Sequence, residues 1–332
     1  MGIRSFVVAA AALFASATAE AQVTIKLGTL APSGSTWHNA LKEMGQKWAA
    51  ASGGKVKLVV FPGGTVGNEG DMVRKMRIGQ LQAAALTTIG LHEITPEPQA
   101  VDIPLGVRSF EELDYVMEKL EPKLNKAVEA KGYVVLLWSD VGFVQFFSTR
   151  SIATPADMKG AKLFAWDGDP ASVEAWRAAG FSPVVLSSTD VIPSLQTGLV
   201  DTIATAPLYA LTARIYQKAN KASSLRWAVL TGATVVKKEV WDQVPGEVKG
   251  KLLDISRASG KDIAGKVRKM NEEALDTMKK NGLAVVEVAD LPAWEKAAEN
   301  ANKIVRGKVV PADTFDEVMR LAKDYRARGA KK

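Results

Sequence analysis

Apolar and polar positions alternate along this chain with two different periods. Short runs rich in Val, Ile, Leu and Thr predict strands, and longer stretches with an apolar residue every three or four positions predict amphipathic helices. The predicted strands are Val23–Thr29, Val56–Phe61, Ala83–Thr88, Tyr133–Ser139, Phe143–Ser148, Lys162–Ala165, Pro183–Leu186, Val200–Thr205, Trp227–Val236 and Ala284–Val288. The predicted helices are Trp37–Ala51, Glu69–Ile78, Phe110–Ala130, Pro170–Ala179, Asp190–Gln196, Pro207–Ala219 and Pro245–Asn281, and two further helices close the chain.

The order of these elements predicts an α/β fold. Strands that alternate with helices indicate a mixed or mostly parallel sheet with helices on both faces. The alternation starts again after Ser148, and a long helical pattern follows. We therefore predict two lobes, each with a mixed sheet, a long connecting helix and a ligand cleft between the lobes. The predicted boundaries are 22–146 plus about 227–270 for lobe I, 147–226 plus about 271–325 for lobe II, and 326–332 for a basic tail.

The first residues have the pattern of an export signal. Arg4 supplies a positive charge, and the apolar run from Phe6 to Phe14 is too short to span a membrane as a helix. The small residues of Ala19-Glu20-Ala21 follow, so we predict a signal peptide over residues 1–21, cleaved near Ala21, and an exported product. The chain has no cysteine. A lipid anchor on cysteine is therefore excluded, and stability depends on core burial rather than on disulfides.

Composition and motifs argue against two broad classes of function. The formal net charge is +7, but the basic residues are mixed with acids and are not interleaved with stacking aromatics, so nucleic-acid binding is disfavoured. The two histidines, His38 and His92, form no zinc-protease pattern, and no Gly-x-Ser-x-Gly elbow occurs. We predict a protein that is not an enzyme and that uses no cofactor.

Two local patterns have alternative interpretations. The glycine-rich segment 62–70 follows a strand as a phosphate loop would, but it lacks Gly-Lys-Ser/Thr, which favours a turn before a helix. Asp167, Asp169 and Asp201 could hold a metal ion through oxygen, or they could cap helices. The helix-cap interpretation is the favoured one.

Several segments together resemble one family of receptors. They are Gly28-Thr29-Leu30-Ala31-Pro32-Ser33-Gly34, Val60-Phe61-Pro62-Gly63-Gly64, Met76-Arg77-Ile78-Gly79-Gln80-Leu81, Asp102-Ile103-Pro104-Leu105, Trp138 with Gly142-Phe143, and Leu195-Gln196-Thr197-Gly198-Leu199-Val200-Asp201. With their order and spacing, residues 23 to about 325 resemble the solute-binding proteins of TRAP (tripartite ATP-independent periplasmic) transporters. The resemblance implies a periplasmic two-lobed binding protein, closure around a small molecule, and delivery to the membrane subunits of a TRAP permease.

The chain departs from this family where the family binds carboxylates. The resemblance implies arginines at the positions of Val144 and Phe164, and a polar Gly-Gln-Glu-Asn run where this chain has residues 202–205, Thr-Ile-Ala-Thr. The arginine fork matches a carboxylate through two hydrogen bonds, and no other side chain replaces it well. We therefore predict that the ligand is not a simple carboxylate, unless Arg150, Arg177 or Arg214 reaches the site from elsewhere.

The resemblance places a largely aromatic set of residues at the cleft. The predicted ligand-binding residues are Trp37, Glu69, Thr87, Thr88, Phe143, Val144, Phe164, Trp166, Asp201, Tyr209 and Trp227. Aromatic rings with a few hydroxyls favour an apolar or aromatic ligand. The same rings also allow capture of a cation, with Glu69 or Asp201 as its counter-charge. Two alternatives remain: a stand-alone periplasmic carrier of a hydrophobic or aromatic molecule, and an exported hydrolase.

Overall fold

The computed structural model describes residues 22–329, so the predicted signal peptide lies outside the described residues. Within that range, none of the helices combines the length and the apolar character that a membrane crossing requires. The strands are β1 Val23–Thr29, β2 Val56–Phe61, β3 Ala83–Thr87, β4 Tyr133–Ser148, β5 Lys162–Trp166, β6 Ser182–Leu186, β7 Thr202–Thr205, β8 Lys221–Ser223, β9 Ala228–Lys237 and β10 Ala284–Val286.

Helices pack on both faces of the sheet. They are α1 Thr36–Ala51, α2 Glu69–Arg77, α3 Thr88–Leu91, α4 Phe110–Glu129, α5 Pro170–Ala178, α6 Val191–Thr197, α7 Pro207–Thr212, α8 Lys238–Asp242, α9 Gly246–Lys280, α10 Leu291–Ile304 and α11 Ala312–Gly329. Ser35 caps α1 through a hydrogen bond from the His38 amide, and Asn68 forms a capping box with Asp71 at the start of α2.

The strands pair in the order β2-β1-β3-β9-β4-β7-β5-β6, with β8 pairing β4 and β10. Strands β1–β3 pair in parallel with one another, and so do β5–β7, whereas β9 and β4 run antiparallel to their neighbours. We call the part built on β1–β3 lobe I and the part built on β5–β7 lobe II. Strands β4 and β9 lie between the two parts and connect them. The predicted mixed α/β fold is therefore confirmed, while the exact lobe boundaries stay a prediction.

A single strand, β4, replaces the two strands predicted over residues 133–148. Its register against β9 shifts between Val135 and Leu137 and again between Asp140 and Gly142, which are the marks of β-bulges. Gly142 has a φ of 129°, a conformation that glycine tolerates and other residues avoid. The strand keeps its pairing with β9 on both sides of these bulges, so residues 133–148 form one strand.

The long helix α9 follows β4 across both lobes. A Cβ atom on Gly142 would lie 2.6 Å from Nδ2 of Asn271, so helix and strand approach closely at this point. Asn271 donates to the carbonyl oxygen of Val141 at 3.0 Å and accepts from the amide of Leu208 at 2.9 Å. Asn271 thereby joins α9 to β4 and to the start of α7 near the junction of the lobes.

The predicted helix over residues 207–219 is broken in the structure. Helix α7 ends at Thr212, Arg214 adopts a left-handed conformation with a φ of 58°, and a short 3₁₀ turn follows at Ile215–Gln217. Helix α10 packs against α5 of lobe II, and α11 packs against α4 of lobe I. The C-terminal helices therefore contact both lobes.

Candidate functional site

A cavity with a volume of about 200 Å³ lies where the two lobes meet. Its walls come from both lobes. Lobe I contributes β1, α1, α2 and β3, and lobe II contributes β5, β7 and α7. The rest of the wall comes from β4, β9 and α9. We call it the first cavity. Six of the predicted ligand-binding residues line it: Trp37, Glu69, Thr87, Phe164, Trp166 and Tyr209.

Glu69 is the charged group of the first cavity. It is the first residue of α2 and is held by Thr87, which donates to it from the backbone amide at 2.6 Å and from the hydroxyl at 2.8 Å. Burial raises the pKa of the Glu69 carboxyl, and the two hydrogen bonds from Thr87 offset part of that rise. The side chain is thus a fixed hydrogen-bonding group, negative when ionised.

Phe164 and Trp166 lie on the same face of β5 because alternate residues of a strand point in the same direction. The indole nitrogen of Trp166 and the hydroxyl of Ser188, which also lines the cavity, are buried without a hydrogen-bond partner. The indole nitrogen of Trp37, in contrast, donates to the carbonyl oxygen of Asp140 at 3.2 Å. Lobe II therefore brings apolar rings and unsatisfied polar groups to the same wall.

Basic side chains are missing from this wall. Among the described residues that line the first cavity there is no lysine and no arginine. Arg150 forms an ion pair with Asp201, with 3.8 Å between its Nε and Oδ2, and Arg177 and Arg214 are exposed elsewhere on the surface. None of these three arginines lines the cavity, so they do not restore a site for an anion there.

A second cavity, of about 140 Å³, adjoins the first. Val144 and Trp227, both predicted as ligand-binding residues, line this second cavity instead of the first. The two cavities share three lining residues, Ile89, Ala204 and Leu230. The positions of Val144 and Phe164 therefore belong to neighbouring spaces rather than to one shared wall.

Three predicted residues line neither cavity. Thr88 is buried and donates its hydroxyl to Oδ2 of Asp102. Phe143 packs in the core against Phe110, with 4.9 Å between the ring centroids. Asp201 accepts from the amide of Lys162 at 2.8 Å, where it ties β7 to β5. Each of the three has a structural contact that accounts for its position.

Asn68 and Gln99 of lobe I form hydrogen bonds with lobe II beside the cavities. The side-chain amide of Asn68 donates to Ser187 at 3.1 Å, and that of Gln99 donates to Asp169 at 2.8 Å. Asp169 also caps α5 through the Ser172 amide at 2.9 Å, as predicted for a helix cap. In the described part of the chain no group of three or more metal-ligating side chains is close enough to hold an ion.

Sequence reasoning missed several residues of these walls, among them Asp102 and Ser188. Asp102 lines the second cavity; the sequence offered a carboxylate in the apolar stretch Val101–Ile103, which could have marked it as buried and functional. Ser188 lines the first cavity, and its polar run, residues 187–190, gave no signal that distinguishes it from an ordinary turn.

Comparisons with known proteins agree on one kind of protein. A family model described as "Bacterial extracellular solute-binding protein, family 7" matches residues 27–306. A solute-binding protein of Roseobacter denitrificans is 25% identical over 298 residues, 88% of this chain and 89% of that protein. The C4-dicarboxylate-binding periplasmic protein DctP of Rhodobacter capsulatus is 28% identical over 272 residues, 77% of this chain and 76% of that protein. A TRAP periplasmic solute binding protein from Ralstonia eutropha H16, solved with bound (S)-2-acetolactate, has a TM-score of 0.84 at 20% identity and covers 91% of this chain and 99% of its own.

Proposed function

Because the chain belongs to family 7 of the bacterial extracellular solute-binding proteins, we propose that it captures a small molecule between its lobes and delivers it to the membrane subunits of a TRAP permease. The family consists of solute-binding proteins of transport systems, and this confirms both the predicted resemblance and the prediction that the protein is not an enzyme. Family members are periplasmic proteins, and we propose the same location for this chain after cleavage near Ala21.

Closure around the ligand follows from where the cavity lies. A bound molecule would contact Glu69 and Thr87 of lobe I together with Phe164 and Tyr209 of lobe II. A ligand favours the closed state only through contacts that the open state lacks. Contacts with both lobes supply that difference, and the cross-lobe bond from Asn68 to Ser187 would form with them.

We propose that the ligand is apolar, aromatic or cationic rather than a small carboxylate. The carrying observation is that the first cavity has Glu69 but neither lysine nor arginine among its described lining residues. A carboxylate enclosed there would lose its hydration without gaining a cationic partner, and it would be repelled by ionised Glu69. The relatives point the other way, since one is named for C4-dicarboxylates and another holds acetolactate. The charge of the first cavity is the reason that we propose a different ligand class for this chain.

The same wall indicates how such a ligand would bind. Phe164, Trp166, Trp37 and Tyr209 offer rings for stacking and for contact with a cation. The Trp166 indole and the Ser188 hydroxyl lack partners and could bond to a polar atom of the ligand. Glu69 supplies negative charge in the same cavity when it is ionised. An aromatic amine satisfies all three features.

The test is a thermal-shift screen followed by calorimetry with four groups of compounds: aromatic amines, neutral aromatics, C4-dicarboxylates and hexuronates. We expect benzylamine or a similar aromatic amine to raise the melting temperature, and the acids to leave it unchanged. Saturable binding of a dicarboxylate or hexuronate, with no binding of amines or neutral aromatics, would refute the proposed ligand class and leave the receptor function intact.

The apolar character of the cavity also supports a second candidate, a periplasmic carrier that works without a permease. The two candidates differ in what uptake requires. Uptake of the bound compound should stop when the permease genes of the host are deleted if the protein is a TRAP receptor. Uptake that continues unchanged in the deletion strain, but still depends on this protein, would favour the stand-alone carrier.

A further inference from the structure

The second cavity is the feature that the proposed function leaves unused. It lies between the lobes like the first, with Gln99 and Asp102 from lobe I and Ser172 and Trp176 from α5. It meets the first cavity at Ile89, Ala204 and Leu230. Alanine is the smallest of these three side chains, so a ligand that extends from one cavity into the other would pass beside Ala204.

Asp102 is the one acidic residue among the described residues of the second cavity, and that lining contains no basic residue. Its Oδ2 accepts from the Thr88 hydroxyl, while its Oδ1 is shielded from solvent and has no hydrogen-bond partner. A buried acceptor without a partner costs about 1–3 kcal/mol. Glu69 in the first cavity already has both hydrogen bonds from Thr87, so the unmet demand for a donor lies at Asp102.

The volumes also indicate that the two spaces act together. Ligand cavities are typically about 300–1,000 Å³. The first cavity, about 200 Å³, and the second, about 140 Å³, are each smaller than that range, but jointly they reach its lower end. A ligand that fills both cavities would be long, and it would be narrow where it passes Ala204.

Resting on the ligand class proposed above, we infer that the two cavities form one elongated site for an aromatic amine. The ring lies in the first cavity among Phe164, Trp166 and Tyr209. The alkyl chain passes Ala204, and the amine donates to Asp102 in the second cavity. Burial raises the pKa of Asp102 well above its ordinary value, only partly offset by hydrogen bonds from the Thr88 hydroxyl and the Thr231 amide.

The test uses a series of ω-phenylalkylamines that starts with benzylamine and lengthens by one methylene at a time, measured by calorimetry on the mature chain. We expect affinity to rise by about fourfold per methylene, the effect of burying one such group, until the chain spans both cavities.

Two variants locate the effect. Val144→Leu reduces the space of the second cavity from β4 and lies outside the first, so the length dependence should flatten while the affinity for benzylamine stays close to that of the wild type. Asp102→Asn keeps the size of the side chain and should weaken the long amines while sparing benzylamine. If Val144→Leu does not fold, Val309→Leu reduces the same cavity from another wall and should have the same effect.

The outcomes separate this inference from the proposed function. Affinity that is independent of chain length, or variants that weaken benzylamine and the long amines alike, would overturn the two-cavity site and leave the ligand class intact. Binding of acids alone, with no amine of any length bound, would overturn both.

Discussion

Tyr209 of lobe II and Glu69 of lobe I approach each other across the first cavity. Burial, and after it the charge of Glu69, raise the pKa of the Tyr209 hydroxyl. Because the two residues belong to different lobes, this interaction exists only when the lobes are close together. The pair thus gives a largely apolar cavity one polar edge, which carries negative charge. We expect that charge to favour cationic ligands over anionic ones.

Replacing Glu69 with Gln should remove the preference of the first cavity for a cation. Gln keeps the size and can still accept from Thr87, so the fold should be retained. Benzylamine should bind about tenfold more weakly, since a charge-assisted contact of about 1.5–3 kcal/mol is reduced, while benzyl alcohol should be little affected. Calorimetry of both compounds measures this. Glu43→Gln, at an exposed glutamate paired with Lys47, is the control; equal losses for both compounds would contradict the prediction.

Replacing Phe164 with Arg should create a site for acids. The new guanidinium would lie in a wall that contains no cation among its described residues, and a carboxylate paired with arginine gains hydrogen bonds of about 1.5–3 kcal/mol each. We expect at least a tenfold gain in affinity for a hexuronate or a C4-dicarboxylate, measured by calorimetry.

The matched control for that gain is Leu199→Arg. Leu199 is 51% exposed and lies outside both cavities, so this variant adds the same charge without adding a ligand contact. An equal gain in both variants would show that net charge, rather than the position of Phe164, governs the binding of acids.

The alternation of a strand explains which site residues the sequence could predict. Phe164 and Trp166 are two residues apart on β5, and both reach the first cavity. Phe143 and Val144 are adjacent on β4, so they face opposite sides: Phe143 enters the core and Val144 the second cavity. A single motif position does not show which side of the sheet its side chain faces, because a motif identifies a segment of the chain and not a face of a strand.

Other parts of the fold depended on contacts between distant segments. Tyr133–Ser148 is one strand because β9 pairs with it on both sides of its bulges, and no local pattern reveals such a partner. The same holds for Asp102, which meets residues of α5, β9 and α10 at the second cavity. Local periodicity therefore predicted the elements, and tertiary pairing decided where they continue and which polar groups they enclose.

Replacing Gly142 with Ala should destabilise the protein. The φ of 129° at this residue suits glycine, and the added Cβ would lie 2.6 Å from Nδ2 of Asn271, the residue that joins β4 to α9 and α7. We expect a loss of about 2–4 kcal/mol in the free energy of unfolding, measured by urea denaturation.

The control for that loss is a glycine on α9, the long helix that packs against Gly142. Gly265 is exposed on α9 with open space around its Cβ position, so Gly265→Ala should stabilise the protein by about 0.5–1 kcal/mol through helix propensity. A Gly142→Ala variant as stable as the wild type would show that the strand and helix can separate at this point without cost.

The stability contribution of Asp102 should depend on pH in the direction opposite to that of an ordinary surface carboxylate. Burial raises its pKa well above the ordinary value, so the folded state retains a proton that the unfolded state releases. The contribution is therefore fully present below the unfolded pKa of about 3.9 and is lost as pH rises through the folded value. Asn does not titrate, so Asp102→Asn removes this loss of stability at higher pH. The melting temperature of the variant should match that of the wild type near pH 4 and exceed it increasingly toward pH 8.

Asp157 provides a control of opposite sign. Hydrogen bonds from the Thr154 and Ala153 amides and the Thr154 hydroxyl lower its pKa against a smaller effect of burial. Its contribution is present above the unfolded pKa and is lost as pH falls through the lowered value. Asp157→Asn should therefore be less stable than the wild type at neutral pH and approach it in acid. Parallel pH dependence of the two variants would contradict the assignment of a retained proton to Asp102, because a global effect of net charge would move both melting temperatures in the same direction.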